Sequence, residues 1–341
     1  MRTAILSSPK SWYYRDLLRA STSTCEVRAV SVDQLSAGLA PQGEHWVRAG
    51  HQSLTDYDAV IVRSMPPGSL EQVIFRMDAL ATLEKSGCLV VNPPKSLEVA
   101  IDKYLALARL ADAGLDVPPT ACCQEVEEAM LAFERYGGDA VVKPLFGGEG
   151  RGIARVTDPA MALRAFKMLE SLGAMIYLQP FIEHGGFDTR VLVIGETLLA
   201  MQRCNADDWR TNISQGASAR PVELDDHQRT IALRAAQAVG APIAGVDLLQ
   251  WVTGQVYVWE VNSVTGWRAL SRVVEVDVDD DISILLEDAS SHVVGLDSAG
   301  IDFSLDLQEE DKHVLITIPF EHRVRLVFVL DRNFAHNGPR I

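Results

Sequence analysis

One stretch restricts the fold more than any other: "GVDLLQWVTGQVYVWEVN", residues 245–262. Two runs rich in Val and Leu flank Thr253–Gly254, the signature of an antiparallel hairpin. Along "VYVWEVN" the strand period of two places Val256, Val258, Glu260 and Asn262 on one face. With the turn centred on Thr253–Gly254, Asp247 lies directly opposite Glu260. Two carboxylates facing each other across a ladder repel. Among almost wholly apolar neighbours they need a partner. A divalent cation would supply one, and the oxygen donors of Asp247, Glu260 and Asn262 suit Mg2+ or Mn2+ better than zinc. The competing reading is a solvated polar face whose acids hold nothing.

A second stretch, "VVKPLFGGEGRGIARV" at 141–156, has the lysine and glycines of a phosphate loop in the wrong order. A Walker loop ends in its lysine, and a dinucleotide fingerprint opens a helix. Here Lys143 comes first and the β-branched "IARV" follows, so the glycines are expected at the tip of a β-hairpin with Lys143 on the entering strand. Glycine backbone can approach phosphate oxygens closely, and a strand lysine below supplies a point charge. From this loop alone a nucleotide flap and a bare glycine turn are equally open. Together with the paired acids it suggests a metal–nucleotide enzyme.

Composition removes several classes. The 341 residues carry 31 Lys and Arg against 46 Asp and Glu, a net charge of −15, which argues against non-specific nucleic-acid binding. The five cysteines are odd in number and form no C-x-x-C pair, so neither a disulfide framework nor a zinc knuckle is expected. The N-terminal run does not read as a signal peptide and no apolar run is long enough for a membrane span, so a cytoplasmic location and no membrane partner are expected.

Residues 1–95 alternate β-α-β-α-β, the pattern of a small parallel α/β layer, with Pro93–Pro94 as its boundary. Residues 96–185 read as an α+β unit. It opens with one helix over 96–114 and includes a helix capped by Asp158–Pro159. Residues 186–290 hold two strands turning at Gly195–Glu196, a helix from Asp225 to Gly240, and the acidic hairpin. Beyond about residue 275 an acidic segment, "DVDDDI", precedes strand-like runs, and residues 291–341 stay unassigned.

The motifs "DKY" at 102–104, "VVKPLFGGEGRGI", "YLQPFI", "DTRVLVIG", "DDWRTN" and "AGVDLL…WEVN" occur in this order over residues 1–272. In combination they resemble the ATP-grasp superfamily, and within it the RimK-like ligases similar to ribosomal protein S6–glutamate ligase. The resemblance implies an α/β fold in which the N-terminal layer precedes two α+β subdomains that clamp ATP. It implies an ATP-dependent carboxylate–amine ligase working through an acyl phosphate, with ATP, L-glutamate and a small-molecule acceptor as ligands and Mg2+ or Mn2+ as metal. A homo-oligomer, dimer or tetramer, is expected with it. Position by position, Lys103 and Lys143 resemble the phosphate lysines, and Gly147, Gly148, Glu149, Gly150 and Gly152 the flap. Gln179, Pro180, Phe181 and Ile182 resemble the adenine hinge, and Asp188 and Thr211 nucleotide contacts. Arg190, Arg203, Arg210 and Asn212 resemble groups near the reacting carboxylate, and Asp247, Glu260 and Asn262 the metal ligands. The chain departs from the family at Pro180, at Cys204 and in "SVTGW" after Asn262. The N-terminal segments look more like the branch that adds glutamate to one-carbon carriers such as tetrahydromethanopterin or methylofuran, with Arg63 for an acceptor carboxylate and Trp12 and Tyr13 for a ring. A glutamate ligase acting on a protein C-terminus, a non-catalytic ATP-binding module and an ATP-grasp kinase remain alternatives.

Overall fold

Strand β1 (Arg2–Leu6) is buried from Thr3 onward and apolar from Ala4, as suits a strand covered on both faces. It is followed by α1 (Trp12–Ala20), β2 (Glu26–Val30), a meander of β3 (Leu35–Leu39), β4 (His45–Ala49) and β5 (Gln52–Ser53), then β6 (Ala59–Val62), α2 (Leu70–Lys85) and β7 (Leu89–Val91). The parallel sheet runs β2-β1-β6-β7. The computed structural model describes residues 1–21, 25–274, 278, 282, 313–317 and 327–331. The β-α-β-α-β pattern is present, and β2 together with the β3–β5 meander is additional to it.

The helix expected over 96–114 is two helices, α3 (Pro94–Ile101) and α4 (Lys103–Asp112). Asp102 breaks it. Its backbone is extended, and its carboxylate accepts from the amides of Tyr104 (2.9 Å) and Leu105 (3.0 Å), the bonding of an N-cap. Lys103 is thereby placed at the first position of a new helix.

A second sheet, β10-β9-β11-β8, comprises β8 (Ala121–Cys123), β9 (Ala140–Lys143), β10 (Ala154–Val156) and β11 (Ile176–Pro180). Helices α5 (Val126–Arg135) and α6 (Pro159–Ser171) cover it through Phe133 and Phe166. Asp158 caps α6, with Pro159 first inside it. The third sheet, β14-β13-β12-β15-β16, comprises β12 (Phe187–Ile194), β13 (Thr197–Cys204), β14 (Ser218–Pro221), β15 (Ile243–Gln250) and β16 (Val256–Asn262). Helix α7 (Asp226–Val239) opens on a capping box of Asp225 with Gln228 and closes on left-handed Gly240. Helices α4 and α7 pack on one face of this sheet. On its other face Leu192, Ile194, Met201 and Ile243 join Ile5, Ile61 and Val91 of the first sheet around Trp267.

The whole is an α/β architecture: one parallel sheet followed by two α+β layers. Met1–Val293 forms one unit and Val294–Ile341 a second. In the second, the two strand-like runs are β17 (His313–Thr317) and β18 (Val327–Asp331), paired antiparallel. The acidic segment "DVDDDI" lies outside the described residues apart from Val278 and Ile282.

Candidate active site

Asp247 pairs with Glu260 across β15–β16, as expected. The route to that pairing differs. Nearer the turn, Leu248 pairs with Val258 and Gln250 with Val256, so the turn centres on Thr253 and the register shifts between Asp247 and Leu248. Trp259 is the extra residue, a β-bulge. The bulge overturns the expected shared face. Val256, Val258 and Val261 pack into the core against α4 and α7, while Trp259 and Glu260 both line the cleft. Alternation puts Asn262 on the side of Glu260.

Asp247 is fully buried, and its partners are guanidiniums. Arg190 grips both its oxygens, through Nε and through Nη2 (2.8 Å), and Arg203 Nη2 lies 3.1 Å away. Burial works against this carboxylate. The two guanidiniums outweigh that and hold its pKa below the ordinary value. Arg203 also forms a two-pronged pair with buried Asp188, with Nε at 2.8 Å. Asp188 is therefore bonded into this network, and it does not line the clefts described below.

Lys143 is buried, with Nζ 2.6 Å from Gln179 Oε1 and 4.3 Å from the centre of the Trp259 ring. Gln179 is held in turn by Thr120 (2.9 Å) and Tyr177 (3.1 Å). Burial lowers the Lys143 pKa to about 8, against the pull of Glu260. Burial lowers that of Lys103 too, while Glu260 and Asp102 oppose it. Both lysines line one cleft with Glu260, Asn212, Trp259 and the flap glycines Gly147, Gly148 and Gly150.

The flap is the hairpin tip between β9 and β10, as expected. Lys103 Nζ donates to the carbonyls of Leu145 (3.4 Å) and Gly147. Glu149 is the one described non-glycine residue with positive φ, at 61°. Its carbonyl accepts from Ser214 Oγ (2.8 Å) and Gln215 Nε2 (3.4 Å). Gly150 has a φ of 72°, which strains any other side chain, and a Cβ there would lie 2.5 Å from Asn212 Oδ1. Gly152 turns the chain back past Pro144.

A second cleft shares Lys143 and Trp259 with the first and continues along Gln179, Pro180, Phe181 and Ile182 to His184 and Trp209. Trp259 Nε1 and His184 Nδ1 are buried with no hydrogen-bond partner. Such atoms are rare, and a ligand's polar edge is one way to complete them. Trp259, His184 and Trp209 were missed in the sequence: a ring in a strand, as Trp259 is, reads as core, and His184 and Trp209 lie in loops whose path the sequence does not fix. None of Arg190, Arg203 and Arg210 lines either cleft. Arg210 is also outside the network of Asp247 and Asp188. It is paired with Asp208 in the same loop, Nε at 2.9 Å, and Thr211 beside it is fully buried. Trp12 and Tyr13 are partly buried and already have ring and cation partners. Tyr13 packs edge-on against Trp12 and Trp267, and Arg63 stacks over Tyr13 and Trp267 while donating to the Thr265 carbonyl.

Among the described residues no group of three or more His, Cys, Asp and Glu side chains could hold a metal. The candidate set is two carboxylates and an amide. Three acceptor positions of Asp247 are taken by Arg190 and Arg203, and a carboxylate has about four. That leaves Asp247 one lone pair, so Glu260 and Asn262 are the freer oxygen donors of the set that would hold a hard cation.

A parallel layer, two α+β layers and a glycine flap closed over two lysines together define an ATP-grasp protein. The chain belongs to the RimK-like ATP-grasp domain family, whose model matches residues 100–286. The tetrahydromethanopterin:alpha-L-glutamate ligase of Methanosarcina acetivorans is 36% identical over 270 residues, covering 73% of this chain and 82% of that one. A probable alpha-L-glutamate ligase of Trichodesmium erythraeum is 30% identical over 293 residues, covering 84% and 96%. The same fold occurs in the RimK domain protein ATP-grasp from Sphaerobacter thermophilus, with a TM-score of 0.65 at 24% identity, covering 84% of this chain and 99% of that one. Family membership gives the class of chemistry, carboxylate–amine ligation. No helix among the described residues is long and apolar enough to cross a membrane.

Proposed function

We propose that this chain uses ATP to join L-glutamate to a small carboxylate-bearing cofactor or cofactor precursor of the tetrahydromethanopterin or methylofuran type, releasing ADP and phosphate. The observation that carries the reading is the convergence of Lys103, Lys143, Glu260 and the glycine flap on one cleft. The names of the archaeal relatives support the choice of glutamate and of acceptor. The three sheets support domains over 1–95, 96–185 and 186–290, with the nucleotide between the second and third.

In this reading the γ-phosphoryl group passes to an acceptor carboxylate, and the glutamate amine then displaces phosphate from the acyl phosphate to form the amide. Lys143 and Lys103 meet the phosphate oxygens as charge moves across them. Lys103 exchanges its flap carbonyls for phosphate. Gly147, Gly148, Gly150 and Gly152 let the flap backbone close over the nucleotide, and closure keeps water from the acyl phosphate. Gln179 to Ile182 border the base. Arg190 and Arg203, oriented by Asp247 and Asp188, stabilise charge on the reacting carboxylate, with Asn212 under the flap. A cation on Glu260, Asn262 and Asp247 would neutralise charge between phosphate oxygens.

The test is ADP release by purified protein given ATP, Mg2+, glutamate and a panel of pterin, furan and peptide acceptors. Turnover should require glutamate and one acceptor, and the product should gain the mass of a glutamyl residue. Lys143→Ala and Glu260→Gln should each lower kcat/KM by at least about 100-fold. A stable phosphorylated product without amide would contradict the reading.

A further inference from the structure

The loop "SVTGW", residues 263–267, leaves β16 directly after Asn262, and side chains of the N-terminal layer grip it at each step. Asn92 donates to the Ser263 carbonyl and to that of Ile243 (2.7 Å), and accepts from the Ile243 amide (2.9 Å). Arg63 donates to the Thr265 carbonyl. A Cβ on Gly266 would sit 2.4 Å from the Tyr13 hydroxyl, so the loop lies tight against α1. Trp267 Nε1 donates to Asp16 Oδ2 (3.1 Å).

The other side of this loop touches the charge network of the site. Arg190 uses Nε and Nη2 on Asp247, and its remaining Nη1 donates to Thr265 Oγ1 at 3.1 Å. Thr265 is 2% exposed. It occupies space left by Gly245, the cross-strand partner of Asn262. A Cβ on Gly245 would lie 2.1 Å from Thr265 Oγ1 and 3.0 Å from Arg190 Nη1. Thr265 thus stands between two arginines, its carbonyl held from the first sheet and its hydroxyl holding a guanidinium of the third.

We infer that Thr265 is a positioning residue, its hydroxyl fixing the angle at which Arg190 meets the reacting carboxylate. The inference rests on the ligase reading, in which Arg190 acts on that group. A planar guanidinium anchored along one edge can still tilt about that edge. A third bond from Nη1 stops the tilt, and the backbone of Thr265 is itself immobilised by Arg63. Loss of the hydroxyl leaves the charge of Arg190 in place and frees its direction. Small misplacements of a group at the reacting centre are costly to turnover and hardly felt in nucleotide binding.

The experiment compares Thr265→Val, which keeps shape and backbone and deletes the hydroxyl, with Thr265→Ser, which keeps the hydroxyl. Thr265→Val should bind ATP–Mg2+ within about twofold of wild type and release ADP about 10- to 100-fold more slowly. Thr265→Ser should stay within about threefold of wild type. In an Arg190→Lys background, Thr265→Val should add no further loss, since the bond it removes is already gone. If Thr265→Val melts too low to assay, Thr265→Ala takes its place in the same cycle. Unchanged turnover in Thr265→Val, or losses that multiply fully with Arg190→Lys, overturn the role of Thr265 while an active wild type preserves the ligase reading. A wild type that binds ATP and releases no ADP with any acceptor sinks that reading, and this inference with it.

Discussion

Lys143 carries a charge into surroundings that disfavour it. Its ammonium is buried between Gln179 and the Trp259 ring, and burial brings its pKa from 10.5 to about 8. The folded protein therefore binds this proton less readily than the unfolded chain does. Between about pH 8 and 10.5 stability rises with pH, and below 8 the charged lysine costs the fold on the order of 3 kcal/mol. The same sign governs binding, because the charge a phosphate needs is present below about 8 and lost above it. ATP affinity, measured by calorimetry, should weaken as pH climbs through 8. Lys143→Met should flatten that profile, lose most affinity, and melt no lower than wild type without ligand. At this scale the sequence was informative about order and uneven about partners. A lysine preceding glycines is visible in "VVKPLFGGEGRG". The turn at Gly195–Glu196 already sets Asp188 opposite Arg203, a pairing as legible as that of Asp247 with Glu260, whereas the bond of Arg190 to Asp247 joins strands far apart in the chain, and only the packing of β12 beside β15 brings it about.

Between elements, the acidic hairpin shows how a correct expectation can rest on an incomplete one. Centring the turn on Thr253–Gly254 put Asp247 opposite Glu260, and they are opposite. The turn in fact centres half a residue earlier, and the bulge at Trp259 restores the pairing. A signal was present in "VYVWEVN": Val256, Val258 and Val261 step by two and then by three, which a regular strand cannot accommodate on one buried face. The bulge adds one aromatic wall beside Lys143 and leaves the acids where a regular strand would put them. Deleting Trp259 should therefore give a folded protein with Glu260 still facing Asp247 and a melting temperature near wild type. It should bind ATP at least about tenfold more weakly, through the lost ring contact with the lysine. The division of the 96–114 helix was equally hidden. "AIDKYL" is helical in pattern, and only the capping bonds of Asp102 decide that Lys103 starts a helix.

At the scale of the whole molecule, the alternation of strands and helices over residues 1–95 and the two later α+β segments could be read directly, because hydrophobic period and glycine stops mark them. The β3–β5 meander could not, since its strands are short, half-exposed and carry little alternation. The role of the N-terminal layer was legible only in part. Arg63, Tyr13 and Trp12 drew attention as acceptor contacts, and the structure instead spends them on one another and on the loop behind the site. The layers act together if the chain activates a carboxylate by phosphorylation, and that step leaves an isotopic trace. The most direct measurement is turnover with the acceptor carboxylate labelled by 18O. The account predicts one labelled oxygen in the released phosphate for every amide formed, with ADP as the nucleotide product. Unlabelled phosphate, or AMP in place of ADP, would contradict it.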